Sequence, residues 1–303
     1  MAGNVETLTN PRTNLPNVYT NVDARELDFV TRFTRNWQAL QEILGIMDPV
    51  RKTPGTKLVS YNASVTLESG AVDPGNVIPY SKATLVEVAH EDLTIEKYAK
   101  AVTVEEVAKY GARLAVQKTD DAFLTELQDT VMDGFYDFLT GDQSAMTDTY
   151  STFQMAVSMA IGKVRDKFKK LKKNAKNVVV FVNTLDLYEY LGSASVTVQQ
   201  DFGLEYVKDF LGASTMIISS EIDRGSVIAI PADNIVLYYI DPADSEFAQL
   251  GLNYRTEGET NLIGFHANGN YGTAVGESFA IMGMKLWLEY ADGVAINTID
   301  ANP

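Results

Sequence analysis

The chain has 303 residues, with 25 Lys and Arg against 40 Asp and Glu and a formal net charge of −15. Apolar residues make up 46 % and charged residues 21 %; that supplies a large core and excludes a mainly disordered chain, a collagen and a small disulfide scaffold. With no cysteine, disulfides, thiolate metal sites and cysteine nucleophiles are excluded as well.

Met1 to Val22 is polar and irregular, with five asparagines, Pro11 and Pro16. Proline fixes φ and removes donors, so no regular helix is expected there. The segment reads as a disordered tail, or as an extended arm that orders on a neighbouring subunit through Leu8, Leu15, Val18 and Tyr19. Asp23 to Leu44 then reads as a helix. Asp23 and Glu26 have capping-box spacing, and Leu27, Val30, Phe33, Trp37, Leu40 and Leu44 form one stripe before Gly45.

A long hairpin follows the break at Pro49 to Gly55. Val59, Tyr61, Ala63, Val65 and Leu67 occupy alternate positions of the first strand. Gly70, Asp73, Pro74 and Gly75 carry the turn chemistry. The second strand starts near Lys82, with Thr84, Val86 and Val88 alternating against Leu85, Glu87 and Ala89. A two-stranded ribbon is marginal alone in water, so this one is expected to lie on something else.

Thr103 and Glu106 form a second capping box, and helical pattern continues past Gly111 to about Leu139. Phe123, Leu127, Val131, Phe135 and Phe138 are its apolar stripe, while Asp120, Asp121, Glu126, Asp129 and Asp133 are expected to face away. Roughly 27 residues would span on the order of 40 Å, long enough for a structural spine.

From Thr149 helices and strands alternate. Phe153, Val157, Ile161, Val164 and Phe168 mark an amphipathic helix, and Val178 to Val182 is an apolar run suited to a strand buried on both faces. Asn183 and Thr184 sit where a helix containing Leu185, Leu187 and Leu191 would be capped. Met216 to Ile218, Val227 to Ile230 and Asn234 to Ile240 read as strands, and Ser278 to Ile299 returns to strand pattern. Gly264, Gly269, Gly272 and Gly276 read as a flexible loop.

The search for catalytic chemistry is negative, and no cofactor is expected. His90 and His266 lie far apart without metal-ligand spacing. No nucleophile elbow, P-loop or dinucleotide fingerprint is present. No apolar run reaches about 18 residues, so no membrane span is expected, nor is a signal peptide. One charge cluster stands out. Eight of the 25 basic residues lie between Lys163 and Lys176 (Lys169, Lys170, Lys172 and Lys173 among them), leaving 17 bases against 39 acids elsewhere. It reads as a solvated helix C-terminus, or as a docking patch for an acidic subunit or nucleic acid.

The order of parts resembles the major capsid protein of tailed bacteriophages, the Hong Kong ninety-seven-type fold. The second half carries the likeness. Val178-Val-Val-Phe-Val-Asn183-Thr184 is similar to the family's buried strand and helix start. Asp201-Phe-Gly203 with Leu211-Gly212, Ile217-Ile218-Ser219, Ile222-Asp-Arg-Gly225, and Leu286-Trp287-Leu288-Glu289 with Asp292-Gly293 resemble the elements that follow.

The resemblance implies a mixed α+β fold: an N-terminal arm and helix at 1–54, an extended hairpin loop at 55–102, a peripheral domain with its spine helix at 103–147, an α/β axial domain at 148–249, and closing strands at 250–303. It implies a non-enzymatic subunit that assembles through pentamers and hexamers into an icosahedral shell around double-stranded DNA, found in the virion and assembled in the host cytoplasm. Implied partners are copies of itself, a portal and decoration proteins, and no membrane is involved; many relatives carry a removable N-terminal scaffolding segment, whereas here the arm begins at once, so the expectation is either a scaffolding protein encoded separately or a mature chain. Candidate contacts between subunits are Leu15, Val18, Tyr19, Tyr61, Val65, Leu67, Lys82, Lys169, Lys170, Lys172 and Lys173. Some relatives join subunits by a Lys–Asn isopeptide bond from the extended loop, which Lys57 and Lys82 flank here; ion pairing or solvation is the alternative. An encapsulin-type shell around protein cargo and an acidic α/β enzyme are the competing expectations.

Overall fold

The computed structural model describes residues 18–72, 77–140, 145–192, 198–201, 204–258 and 260–300. Its elements in chain order are α1 (Val18–Leu44), β1 (Val50–Lys52), β2 (Lys57–Thr66), β3 (Lys82–Asp92), β4 (Glu96–Thr103), α2 (Val104–Tyr110) and α3 (Ala112–Thr140). Then come β5 (Met146–Tyr150), α4 (Phe153–Lys170), β6 (Val178–Asn183), α5 (Thr184–Leu191), β7 (Gln199–Asp201), β8 (Leu204–Phe210) and β9 (Ala213–Ser219). The last are β10 (Ser226–Pro231), β11 (Ile235–Ile240), α6 (Ser245–Ala248), β12 (Ile263–Asn270), β13 (Val275–Leu288) and β14 (Ala295–Ile299). This is the mixed α+β architecture that the sequence leads one to expect.

The chain divides into two compact units, and the boundary runs through α1, α3 and β13. The first unit takes residues up to Arg35, Glu96–Leu124 and Asp241–Met282. Here β4, the first half of β13 and β12 form an antiparallel sheet, with Ala280 opposite both Tyr98 and Phe265. The first half of α1 buries Phe29, Val30 and Phe33, and the Phe29 ring stacks on Phe265 at 4.1 Å. The capping box of α2 is present: the Thr103 hydroxyl accepts from Glu106 N at 3.2 Å, and the Glu106 carboxylate accepts from Thr103 N at 3.1 Å.

Three expectations are corrected in this unit. First, the chain is already helical from Val18, ahead of Asp23, so Val18 and Tyr19 belong to a helix and not to an irregular arm. The capping-box spacing of Asp23 and Glu26 is therefore incidental. Glu26 is buried instead, and its carboxylate accepts from Ala267 N at 2.6 Å, a partner 241 residues away. Second, Asp120 does not face away from the core; it is 3 % exposed. Third, Gly264 and Gly269 lie in β12 and Gly276 in β13, which form a hairpin closed at 271–274. Gly264 is there because nothing larger fits. A Cβ would stand 2.8 Å from Tyr254 Cβ and 2.9 Å from Ile281 Cγ2. Gly264→Ala is expected to destabilise the fold by about 1–3 kcal/mol through overpacking, read as a lower urea midpoint at unchanged slope.

The second unit takes Asn36–Ile95, Thr125–Ile240 and Gly283–Pro303. Its seven-stranded sheet has the order β5-β14-β10-β6-β9-β8-β7. β6 lies at its centre, antiparallel to β10 and parallel to β9, and all six of its residues are buried. Both faces are covered, as the apolar run requires. Val178, Val180 and Val182 share a core with Val157, Ile161 and Val164 of α4. On the opposite face, Phe181 meets Phe135 and Tyr136 of α3 edge-on, at 5.9 and 6.0 Å between ring centroids.

Thr152 caps α4, and Asn183 caps α5 by accepting from Leu185 N at 2.8 Å while donating to the Ile222 carbonyl at 2.6 Å. Within α5, Leu187 is buried and Leu185 is exposed. The Leu211-Gly212 step is the two-residue turn between β8 and β9, with φ of 51° and 87°. Positive φ at both central residues is what a right-twisted hairpin needs, although leucine is an uncommon choice for it. A smaller sheet joins β1, β11 and the second half of β13, and Trp287 in that half stacks on Phe138 at 4.4 Å.

Candidate assembly surfaces

Among the described residues, the β2–β3 ribbon is tied to the rest of the second unit at its base. Leu58 and Ser60 are buried, the Ser60 hydroxyl donates to the Leu288 carbonyl, and Lys285 pairs with Glu91. Beyond Ser60 the described side chains of the ribbon are largely open. Tyr61, Val65 and Leu67 are 44 %, 63 % and 70 % exposed, and Leu85 across the ribbon is 66 % exposed.

A bulge decides which side chains share that open face. Ser60 pairs with Ala89 but Tyr61 pairs with Glu87, so Val88 is an extra residue. Directly opposed residues share a face, so past the bulge Leu85 lies on the Tyr61–Val65 side and Val86 on the other. The alternation legible in the sequence left open which of the two it would be.

Toward the tip, Val77, Ile78 and Tyr80 are 87 %, 72 % and 95 % exposed. The sequence reading missed them because the surrounding turn chemistry hid an apolar group around Pro79. Asp73, Pro74 and Gly75 lie outside the described residues. Of the loop lysines, Lys57 stands 3.7 Å from Asp92, and Lys82 is exposed at the far end of β3. Leu8 and Leu15 lie outside the described residues, and Val18 and Tyr19 open α1.

The basic cluster is partly used up within the second unit. Lys163 pairs with Asp148 at 2.6 Å and donates to Asn297 at 2.9 Å; Lys167 pairs with Asp292 at 2.7 Å and Lys170 with Asp166 at 2.6 Å. Hydrogen bonding and charge from Lys163 hold the Asp148 carboxyl below the usual carboxylate range. Lys173 sits over the Tyr290 ring, 3.8 Å from its centroid. Lys169 and Lys172 have no carboxylate partner among the described residues.

In the first unit Asp120 is the centre of a buried charge cluster. Arg25 grips it with two bonds of 2.7 Å and reaches the Ser278 hydroxyl at 2.9 Å; Lys100 also donates to Asp120 and, at 2.9 Å, to Thr119. Burial works to raise the Asp120 carboxyl, but the bonds from Arg25 and Lys100 hold it below the usual range. Burial, opposed by Asp120, pulls the Lys100 ammonium down. This cluster is a structural clamp among α1, β4 and α3. Sequence periodicity had no means of finding it, because carboxylate and guanidinium are 95 residues apart.

No family model and no curated protein matches the sequence. Solved structures do match. A chain of the cyanophage A-1(L) capsid asymmetric unit aligns at TM-score 0.55 and 10 % identity, over 86 % of this chain and 92 % of that one. A chain of the satellite phage P4 procapsid, which includes the size determination protein, aligns at TM-score 0.50 and 12 % identity, over 96 % and 93 %. A chain of the holo-SrpI encapsulin complex from Synechococcus elongatus PCC 7942 aligns at TM-score 0.48 and 10 % identity, over 98 % of this chain and 94 % of that one. The chain has the fold of tailed-phage major capsid proteins, the Hong Kong ninety-seven-type fold.

Proposed function

We infer that this chain is the structural subunit of a tailed-phage head, a non-enzymatic protein that closes with copies of itself into an icosahedral shell around double-stranded DNA. The observation that carries this reading is the ribbon: fixed at one end, with apolar residues along one face and near the tip that are exposed among the described residues, on a chain with a capsid fold. Single exposed apolar residues are ordinary, but a contiguous apolar stretch on one element marks an interaction surface. On a neighbouring subunit it would gain the burial that its own chain does not provide. Interfaces of obligate assemblies commonly bury about 2,000–5,000 Å². On this reading residues 148–249 form the axial domain at capsomer centres, the particle is the virion, and a portal and scaffolding protein complete the list of partners. The net charge of −15 suits a wall past which packaged DNA slides.

Electron microscopy and sedimentation of the chain, expressed alone and with its neighbouring genes, test the reading. Closed shells or capsomers are expected, and filled particles from infected cells should contain double-stranded DNA. Shells filled with a co-purifying protein would point to an encapsulin instead. A monodisperse monomer under every condition would sink the assembly reading and reopen the search for an enzyme.

A further inference from the structure

The second unit carries two charged surfaces of opposite sign that its own fold leaves unmatched. The first is at the exit of α4. Arg165, Lys169, Lys172 and Lys173 line a cavity of about 370 Å³ with Asn174 and Ala175, and no carboxylate stands in its wall. α4 ends there in a Schellman arrangement: Lys173 N donates to the Phe168 carbonyl at 2.9 Å and Lys172 N to the Lys169 carbonyl at 3.0 Å. That motif puts one residue in the left-handed region, where glycine is the usual choice; here it is Lys172, with φ of 56°. A lysine held where glycine is easier adds charge to the cavity against the local backbone preference.

The second surface is on α3. Glu126, Asp129, Asp133 and Asp137 follow at steps of three, four and four, so they form one row of about 16 Å along the helix. All four are exposed, and none has a cationic partner among the described residues. Burial first, and then the charges of Asp133 and Glu126, push the Asp129 carboxyl up. The row repels itself.

We propose that these surfaces are the two halves of one contact between copies: the cationic surface around the cavity at the end of α4 in one subunit faces the acidic row of α3 from the next. Four carboxylates meet four cations. Because the two patches differ, the contact is heterologous and propagates around a ring, as a capsomer requires, rather than closing a two-fold pair. A chain of net charge −15 repels its copies at low salt, so a local attraction of this kind is what would orient their approach. A phosphate backbone would also fit the cavity, but the chain itself supplies the matching row of acids. The proposal rests on the reading of the chain as a self-assembling subunit.

Charge reversal on the full chain tests it. K169E/K172E and D129K/D133K change exposed side chains, and circular dichroism with thermal melts verifies that both variants fold. Each alone is expected to weaken self-association at least about tenfold, by sedimentation at about 0.1 M salt, where screening acts over roughly 10 Å. Mixing the two variants, or combining all four changes in one chain, is expected to restore association. Unchanged association in both double variants, with wild-type shells intact, overturns this contact and leaves the shell reading standing. Loss without rescue overturns it too. If wild-type chain also retards duplex DNA and K169E/K172E does not, the cavity passes to nucleic acid. A wild-type chain that stays monomeric at every concentration overturns both readings.

Discussion

A chain carrying Val65→Asp and Leu85→Asp is expected to fold normally and to form no shells. Both side chains are open in the isolated subunit, so replacing them changes subunit stability by no more than about 1 kcal/mol, from strand propensity. The bulge puts them on one face with Tyr61, so the two carboxylates enter the same contact. On the proposed shell reading, each change would remove about 1.5–3 kcal/mol of apolar burial and add a charge without a partner. The loss recurs at every copy of the interface. Sedimentation and electron microscopy read assembly, and a thermal melt reads the subunit. Val86→Asp is the internal control: it alters the opposite face of the ribbon and is expected to disturb assembly less. Shells of normal size and yield from the Val65/Leu85 double variant would remove the ribbon face from the interface.

Asp120→Ala carries the largest expected effect on the subunit itself. Removing this carboxylate leaves Arg25 and Lys100 partly buried and uncompensated, their side chains 28 % and 13 % exposed. Breaking one partner of a buried ion pair costs about 3–5 kcal/mol, and the residual exposure of Arg25 places this case near about 3. The loss should appear as a lower denaturation midpoint, with amide exchange rising first in the first unit.

The same carboxylate sets an acid limit. Its folded-state value is held below that of the unfolded chain, so its stabilisation is fully present above about pH 4. It is lost as pH falls through the lower, folded value. Asp120→Asn keeps the shape and removes the titration, so its stability should vary less with pH in that window. An Asn variant with the same acid slope as wild type would assign the acid sensitivity to other carboxylates.

What could be read from residues alone was whatever depends on neighbours a few positions away. The Thr103–Glu106 box, the Asn183 cap, the α4 stripe and the two-faced apolar run of β6 are all set by local hydrogen bonding and by periods of 3.6 or 2. Together with their order, they were enough to reach the fold. The helical residues ahead of Asp23 escaped, because the asparagines and prolines there argued against a helix while tertiary burial of its later turns favoured one.

Other features have no local signal. Glu26 turns from a supposed cap into the acceptor of Ala267 N, and Asp120 turns from a surface acid into a buried clamp, each through a partner on a distant strand or helix. Gly264 serves close packing against Tyr254 and Ile281, which only the folded sheet brings near. The bulge at Val88 shifts the face of every residue beyond it, and a strand pattern of period two does not reveal where such an extra residue falls. The sequence by itself determined the capped helices, the buried β6 strand and the apolar ribbon, with their order along the chain, while β12, read as a glycine loop, became a strand only through its pairing with β13. The tertiary structure alone decided which charges pair inside the chain and which apolar faces stay open, because both depend on contacts between residues far apart along the chain.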